Sequence, residues 1–232
     1  MTVFATDSNC FSLVVKHEYE PASAFCRDVL TVYDVAQTMK VGTVLGKFLA
    51  SPTGTAGSTV GTGNGAMGAI TVTSVAGLET GVYTLKIVKA AANAGDFVVT
   101  KPNGSVMGYG TVGVAFSQGG LAFTLADGST DFVVGDSIPI TVAGTAKYKK
   151  VEATATDGSQ IAAAIMIGDT LGYSGDIAVA ATTDTKVLAL TRGPALVSKG
   201  GLVFGSSVDT QAELDLAYAQ LTALGMLPVE AV

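Results

Sequence analysis

Charge is scarce in this sequence. Lysine, arginine, aspartate and glutamate together make up 14% of its 232 residues, against about a quarter in an ordinary soluble domain. The balance is acidic, 13 basic residues against 19, and the densest basic group is Lys147, Lys149 and Lys150. That excludes a nucleic-acid-coating role, which needs clustered cations to neutralise phosphate. Tryptophan is absent, which removes the best sugar-stacking side chain and leaves Tyr83, Tyr109 and Tyr173 for that work. His17 is the only histidine, too few for a zinc centre and a poor base for acid-base chemistry so near a terminus. No metal, cofactor or catalytic residue is therefore assigned. Cys10 and Cys26 are the only cysteines; they cannot form a disulfide framework in a chain this long and are read as reduced thiols. No apolar run approaches the roughly 20 residues that cross a bilayer. No basic residue precedes Lys16, so the N-terminus does not read as a secretory signal, and no membrane association is expected.

Glycine and short β-branched runs are what the sequence does contain. The 29 glycines punctuate segments at Val29–Tyr33, Gly42–Leu49, Ala69–Val75, Val82–Val88, Phe97–Thr100, Leu121–Leu125 and Ile138–Val142. Tyr83, Leu85 and Ile87 share one face of their segment, as do Leu121, Phe123 and Leu125, and Ile138, Ile140 and Val142, so each strand has one buried side. Pro102-Asn103-Gly104 and Ala126-Asp127-Gly128 offer the φ > 0 positions of tight turns between antiparallel neighbours. The expected class is mainly β, a small barrel or sandwich. One helix stands out at the end. Thr210-Gln211-Ala212-Glu213 is a capping box, Leu214, Ala217, Tyr218, Leu221 and Leu224 recur at helical steps, and Gly225 with Pro228 stops the helix. That stripe fits a helix packed on its own core.

Composition shifts after Ala50. Ser51–Met67 is nearly all small and polar and reads as a linker or a long exposed connection. Ala143-Gly144-Thr145-Ala146 is a second small-residue joint, so residues 51–146 are expected to form an inserted antiparallel β-sandwich-like domain with its own core. Within it Asp96-Phe97-Val98-Val99 echoes Asp131-Phe132-Val133-Val134, and both read as strand starts. Gly63-Asn64-Gly65-Ala66-Met67-Gly68 fits a dinucleotide-binding string, but no strand precedes it and the next segment, Ala69–Val75, is β rather than helical, so a glycine-rich connection is the better reading. Asp96, Asp127, Asp131 and Asp136 could pair as catalytic carboxylates, yet most sit beside glycine where turns alone explain them.

With the insertion set aside, Gln37-Thr38-Met39-Lys40-Val41-Gly42-Thr43-Val44-Leu45-Gly46-Lys47 is succeeded by Lys147-Tyr148-Lys149-Lys150-Val151 and by Asp157-Gly158-Ser159-Gln160. Then come Lys186–Thr191 with Arg192-Gly193-Pro194-Ala195, and a helix ending in Ala223-Leu224-Gly225-Met226. In this order the pieces resemble the tailed-phage head decoration proteins of the lambda gpD type, over about 30–50 and 147–227. The resemblance implies a structural virion protein with no reaction to catalyse and with a β-barrel or β-clip-like core (28–50 and 147–232), bound as a homotrimer to the major capsid protein on the outside of the expanded head. There it would stabilise the shell against packaged DNA, after assembly in the host cytoplasm. It also implies an N-terminal capsid-binding arm, residues 1–27, in which Phe11, Ser12, Leu13, Val14 and Val15 add as a strand to a capsid edge; an ordinary frayed terminus or a strand of the chain's own sheet are the other readings of that piece. The insertion would face outward. Host-surface or glycan binding through it, and a tail or fibre role, are the alternatives. Arg192 is expected to anchor loop carbonyls through its guanidinium fork.

Overall fold

Residues spaced two apart along short branched segments make strands of nearly half of this chain: the computed structural model, which describes residues 11–170 and 175–230, is 48% strand and 11% helix. In chain order a helical turn α1 (Phe11–Val14) leads into β1 (Val15–Glu18), β2 (Arg27–Val32), β3 (Gln37–Met39) and β4 (Val44–Ala56). Next come β5 (Thr71–Val72), β6 (Gly81–Ala91), β7 (Ala94–Thr100), β8 (Val106–Thr111), β9 (Ala115–Gln118), β10 (Leu121–Thr124) and β11 (Ser137–Lys150). The chain finishes with β12 (Ala162–Gly168), β13 (Ile177–Val179), β14 (Thr185–Leu190), β15 (Ala195–Ser198), α2 (Gln211–Ala223) and β16 (Met226–Val229). Two compact units result, one of Met1–Phe48 with Ala146–Val232 and one of Leu49–Thr145.

In the first unit β2, β14, β12, β4 and β11 are neighbours in that order, and β11 returns to β2 through the parallel Tyr148–Val32 pair. The Tyr33 N–H donates to the Tyr148 carbonyl at 2.8 Å and completes the closure. A closed barrel has no free edge strands of its own. The strand period sorts its apolar side chains into two clusters. Leu30, Val32, Leu45, Ala164, Met166, Val187 and Ala189 pack with Met39 of β3 and Val179 of β13. Val44, Ile165, Ile167 and Leu190 instead meet Val14, Val15, Val197, Ala217, Leu221 and Met226. Those partners come from α1, the three-stranded sheet β1–β15–β16 and α2. The helix starts as its sequence requires: the Glu213 N–H donates to the Thr210 hydroxyl, and the Glu213 carboxylate accepts from the Thr210 N–H at 3.0 Å. It ends before Gly225, at φ +80°.

The second unit has two layers. One carries β11, β6, β7 and β8 side by side, the other β5, β10 and β9. Tyr83, Leu85, Ile87, Ile138, Ile140 and Val142 are all buried, as their alternation predicts. Phe97 of β7 meets Phe116 of β9 and Phe123 of β10 with ring centroids 5.9 and 6.0 Å apart, while the latter two stack at 4.9 Å. Such contacts add to the area that the rings bury.

Several local readings change. Ser51–Ala56 is not a linker but the second half of β4, and Ala143–Ala146 lies inside β11. Small polar residues suit a long strand when backbone pairing rather than side-chain burial holds it. Gly63 and Gly65 are buried: a Cβ on either would overlap the Phe132 ring, so the dinucleotide-like string is a packing motif. Asp131–Val134 is not a strand; Phe132 enters the core while Val133 and Val134 stay exposed. Gly104 takes φ +83° as its turn demands, whereas Gly128 is not among the positive-φ glycines. Only Thr71–Val72 of the Ala69–Val75 segment is strand.

Candidate functional site

The N-terminal segment is bound to the first unit by its apolar residues. Val14 is fully buried and Val15 nearly so, and Phe11 packs against the same cluster with the Arg27 guanidinium 4.9 Å above its ring. Ser12 and Leu13 face outward, Leu13 with 48% exposure. Phe11–Val14 is thus helical rather than extended, and the next element, β1, pairs antiparallel with β15, Val15 opposite Val197 and Glu18 opposite Ala195. Among the described residues the sheet order β1–β15–β16 leaves β1 at an edge.

Charged side chains fix the root of this segment. The buried Glu18 carboxylate takes both Nε and Nη2 of Arg27, the first at 3.0 Å. Beside it, Arg192 donates from Nε to the Phe25 carbonyl at 2.7 Å and forks onto Asp28 at 2.8 and 3.3 Å. The anticipated anchoring role is thereby split between one loop carbonyl and one carboxylate. The Thr191 hydroxyl, 2.6 Å away, is the main reason the Asp28 carboxyl sits below the usual carboxylate range; partial burial opposes it and Arg192 assists.

Apolar side chains remain open on the same part of the fold. Tyr19 and Phe25 meet edge to face at 5.7 Å, each just under half exposed. Across the three-stranded sheet His17, Leu196 and Leu227 form one register row, and all three are exposed. Sequence reasoning missed Tyr19, Phe25, Leu196 and Leu227. The alternation in Ala195–Ser198 hints at one outward residue, but the parallel β15–β16 pairing that puts Leu196 beside Leu227 joins distant segments.

The short pieces around Gly46, Ser159, Gly193 and Gly225 meet two by two. A Cβ on Gly46 would overlap the Ser159 carbonyl oxygen, and one on Gly193 would overlap that of Gly225. The Asp157 carboxylate accepts from the Ser159 N–H at 3.1 Å and hydroxyl at 2.6 Å and pairs with Lys149 at 2.8 Å. Burial opposes its ionisation, but these bonds outweigh that and hold its pKa low. The pieces are therefore joints of the barrel and not reactive groups.

Of the four aspartates singled out in the insertion, three are engaged in structure, while Asp127 has a buried Oδ1 without a hydrogen-bond partner among the described residues. Asp136 accepts backbone N–H groups of Thr62, Gly63 and Val133 at 3.0, 2.9 and 3.0 Å; Asp131 accepts from the Asn93 N–H at 3.0 Å; Asp96 accepts from the Thr111 hydroxyl at 3.0 Å. Among the described residues no group of three or more His, Cys, Asp or Glu side chains could hold a metal ion. A cavity of about 320 Å³ beside α2 is lined by Val151, Ile161, Val208, Leu216 and Ala217, with Glu213 and Gln220 at its polar side. The polar lining, which includes Gln160, is committed: Glu213 to the helix cap, Gln220 to the Ala162 N–H at 2.7 Å and Gln160 to the Gly158 N–H at 2.9 Å. Tyr83 is buried with its hydroxyl on Glu79, Tyr109 is 66% exposed, and Tyr173 lies outside the described residues, as does Cys10. Cys26 is a buried free thiol.

Comparison with known proteins places this geometry. Among curated proteins nothing matches. A crystal structure of Xanthomonas campestris FlgL in space group H3 matches at 17% identity and a TM-score of 0.31, covering 47% of this chain and 37% of that one. A family model, Bacteriophage lambda head decoration protein D, matches residues 14–226, from the buried Val14 to the Met226 that packs against it in one cluster, insertion included. The chain therefore belongs to the bacteriophage lambda head decoration protein D family.

Proposed function

We propose that this chain binds the outside of the expanded phage capsid through the major capsid protein and cements the shell as a homotrimer. The family match over nearly the whole fold carries this reading: it supports a structural role at the phage capsid and a non-catalytic protein. The N-terminal region supplies the contact. Ser12 and Leu13, the edge that β1 presents among the described residues, and the exposed Tyr19, Phe25 and Leu196 form the capsid-facing surface, while Val14 and Val15 stay in the core as its root; residues 1–10 of the expected arm lie outside the described residues. Of the arm residues, Ser12 and Leu13 touch the shell and Phe11 orients them. A strand edge gives affinity through main-chain bonds, and three legs on one trimer multiply it through effective concentration. The unit Leu49–Thr145 is displayed outward. The test is binding of the purified chain to expanded shells lacking decoration, read by sedimentation and by the temperature at which the shells rupture. Saturable binding with a raised rupture temperature is expected; a chain that leaves both unchanged overturns the reading.

A second reading concerns the inserted unit alone, as a module that contacts a host surface or glycan. It is favoured by that unit's separate core and by an open sheet face on which Lys86, Val98 and the exposed Tyr109 lie in one register row. Particles carrying a chain without residues 51–146 would then adsorb less to host cells. Unchanged adsorption removes this reading and leaves the cementing role intact.

A further inference from the structure

Two Asn-Gly pairs occur within the described residues, Asn64-Gly65 and Asn103-Gly104, and the fold treats them oppositely. Asn-Gly is the dipeptide in which a backbone amide most readily attacks the preceding side chain, because glycine has no Cβ to obstruct the approach. At Asn64 the attack is blocked. The block lies in the glycine rather than in the side chain, whose Oδ1 accepts from the Thr130 N–H at 2.9 Å and whose Nδ2 donates to Ser129 at 2.9 Å much as Asn103 engages Ser105 and Glu79. Gly65 is buried, with the Ala126 carbonyl and the Phe132 ring filling the space beside its Cα. The preceding amides of Thr62 and Gly63 are held by Asp136. Turning Gly65 toward the Asn64 side chain requires opening this part of the core.

Asn103-Gly104 lies at the tip between β7 and β8, where residues 102–106 are all exposed. Nothing stands within 4 Å of the Cβ position of Gly104. Its N–H is held only by the Lys101 carbonyl at 2.9 Å, one solvent-exposed bond of the kind that breaks in low-energy local openings. The Asn103 side-chain carbonyl already accepts from the Ser105 N–H at 2.9 Å. That donor polarises the carbon under attack and steadies the oxygen as it gains charge.

We propose that Asn103 is a site of spontaneous covalent modification, deamidation through a succinimide, and that Asn64 is protected from it by the fold. The Gly104 nitrogen gives up its proton to water or hydroxide and bonds to Asn103 Cγ; the Cγ–Nδ2 bond then breaks as Nδ2 takes a proton back from water, and ammonia leaves. Water then opens the ring at either carbonyl, giving aspartate or isoaspartate. The product adds one negative charge and removes the Asn103 Nδ2–H donated to Glu79 at 3.1 Å, leaving two carboxylates face to face. Isoaspartate also lengthens the turn backbone by one carbon. The modified tip is released from the Glu79 segment, while Lys101, bonded to the Gly77 carbonyl at 3.0 Å, still holds the base of the hairpin.

The experiment incubates the full native chain at mildly alkaline pH and follows both peptides by digestion and mass spectrometry, with fragmentation that separates isoaspartate from aspartate. A parallel sample is kept in urea. In urea both sites are expected to convert at similar rates. In the folded chain Asn103 should convert at least about tenfold faster than Asn64, the factor given by roughly 1.4 kcal/mol of difference in opening free energy. A predominance of isoaspartate at Asn103 supports the ring-opening route. Equal rates at the two sites in the folded chain, or faster conversion at Asn64, overturn the proposal, as does a native chain in which Asn103 stays intact while the urea sample converts. The comparison is internal to one wild-type molecule, so no outcome depends on a variant that must fold.

Discussion

Replacing Asp136 tests how the glycine-rich stretch of the inserted unit is held. The residue is 3% exposed, and its carboxylate accepts three backbone N–H groups, those of Thr62, Gly63 and Val133. Asp136→Ala orphans all three. The Gly63 amide is buried beside Phe132, and leaving it unpaired costs about 1–3 kcal/mol. Thr62 and Val133 lie nearer solvent, so water replaces the carboxylate and each loses about 0.5–1.5 kcal/mol. The expected loss is about 2–6 kcal/mol. Asp136→Asn keeps one acceptor oxygen and should lose about 1–3 kcal/mol. Burial opposes ionisation of Asp136, yet the bonds from Val133, Thr62 and Gly63 outweigh it and hold its pKa below the usual aspartate value. The unfolded chain, with an ordinary aspartate pKa of about 3.9, therefore takes up this proton first as pH falls. The contribution is complete at neutral pH, starts to decline as pH nears that value and is lost below the folded-state pKa. Urea unfolding followed by far-ultraviolet circular dichroism, repeated from neutral pH to about pH 3, measures both effects, with exposed Asp131→Asn as the control. If Asp136→Asn unfolds within about 0.5 kcal/mol of the wild type and keeps the same pH slope, the clamp is not what holds the loop.

The close approaches, the helix cap and the arm can each be perturbed in the same way. Gly46→Ala and Gly193→Ala each force a methyl group onto a backbone carbonyl and are expected to cost about 3 kcal/mol or to prevent folding of the barrel unit, whereas Gly200→Ala, with nothing within 4 Å, should stay within about 0.5 kcal/mol in thermal unfolding. Thr210→Ala removes the α2 cap and should lower stability by about 1 kcal/mol in urea titration, with Thr210→Ser restoring most of it. Leu13→Glu should weaken binding to undecorated shells at unchanged melting temperature, because Leu13 faces solvent, while Val14→Asp should unfold the unit outright. Equal shell binding by Leu13→Glu would move the contact away from the arm.

Much of the fold was legible because strand and helix periods are local. The buried faces of β6, β10 and β11 and both halves of the α2 cap come from spacing alone. The errors have one origin. Ser51–Ala56 and Ala143–Ala146 contain too little apolar surface to announce strands, and only cross-strand partners make them so. Conversely Asp131–Val134 has strand composition but turns at Phe132, whose ring is drawn into the core against Gly63 and Gly65.

By itself the sequence determined the mainly-β class, the terminal helix, the turn at Asn103-Gly104 and, through a few short pieces in order, the family. Each is fixed by neighbours a few residues apart or by the order of residues along the chain. The tertiary structure alone decided that Gly46 meets Ser159 and Gly193 meets Gly225, and that Val14 and Val15 are a buried root while Leu13 faces solvent. It alone decided that one Asn-Gly pair is locked and the other open. Those outcomes depend on contacts between distant segments, where hydrogen-bond partners and excluded volume are set by whatever the closed barrel and the two-layer unit bring alongside.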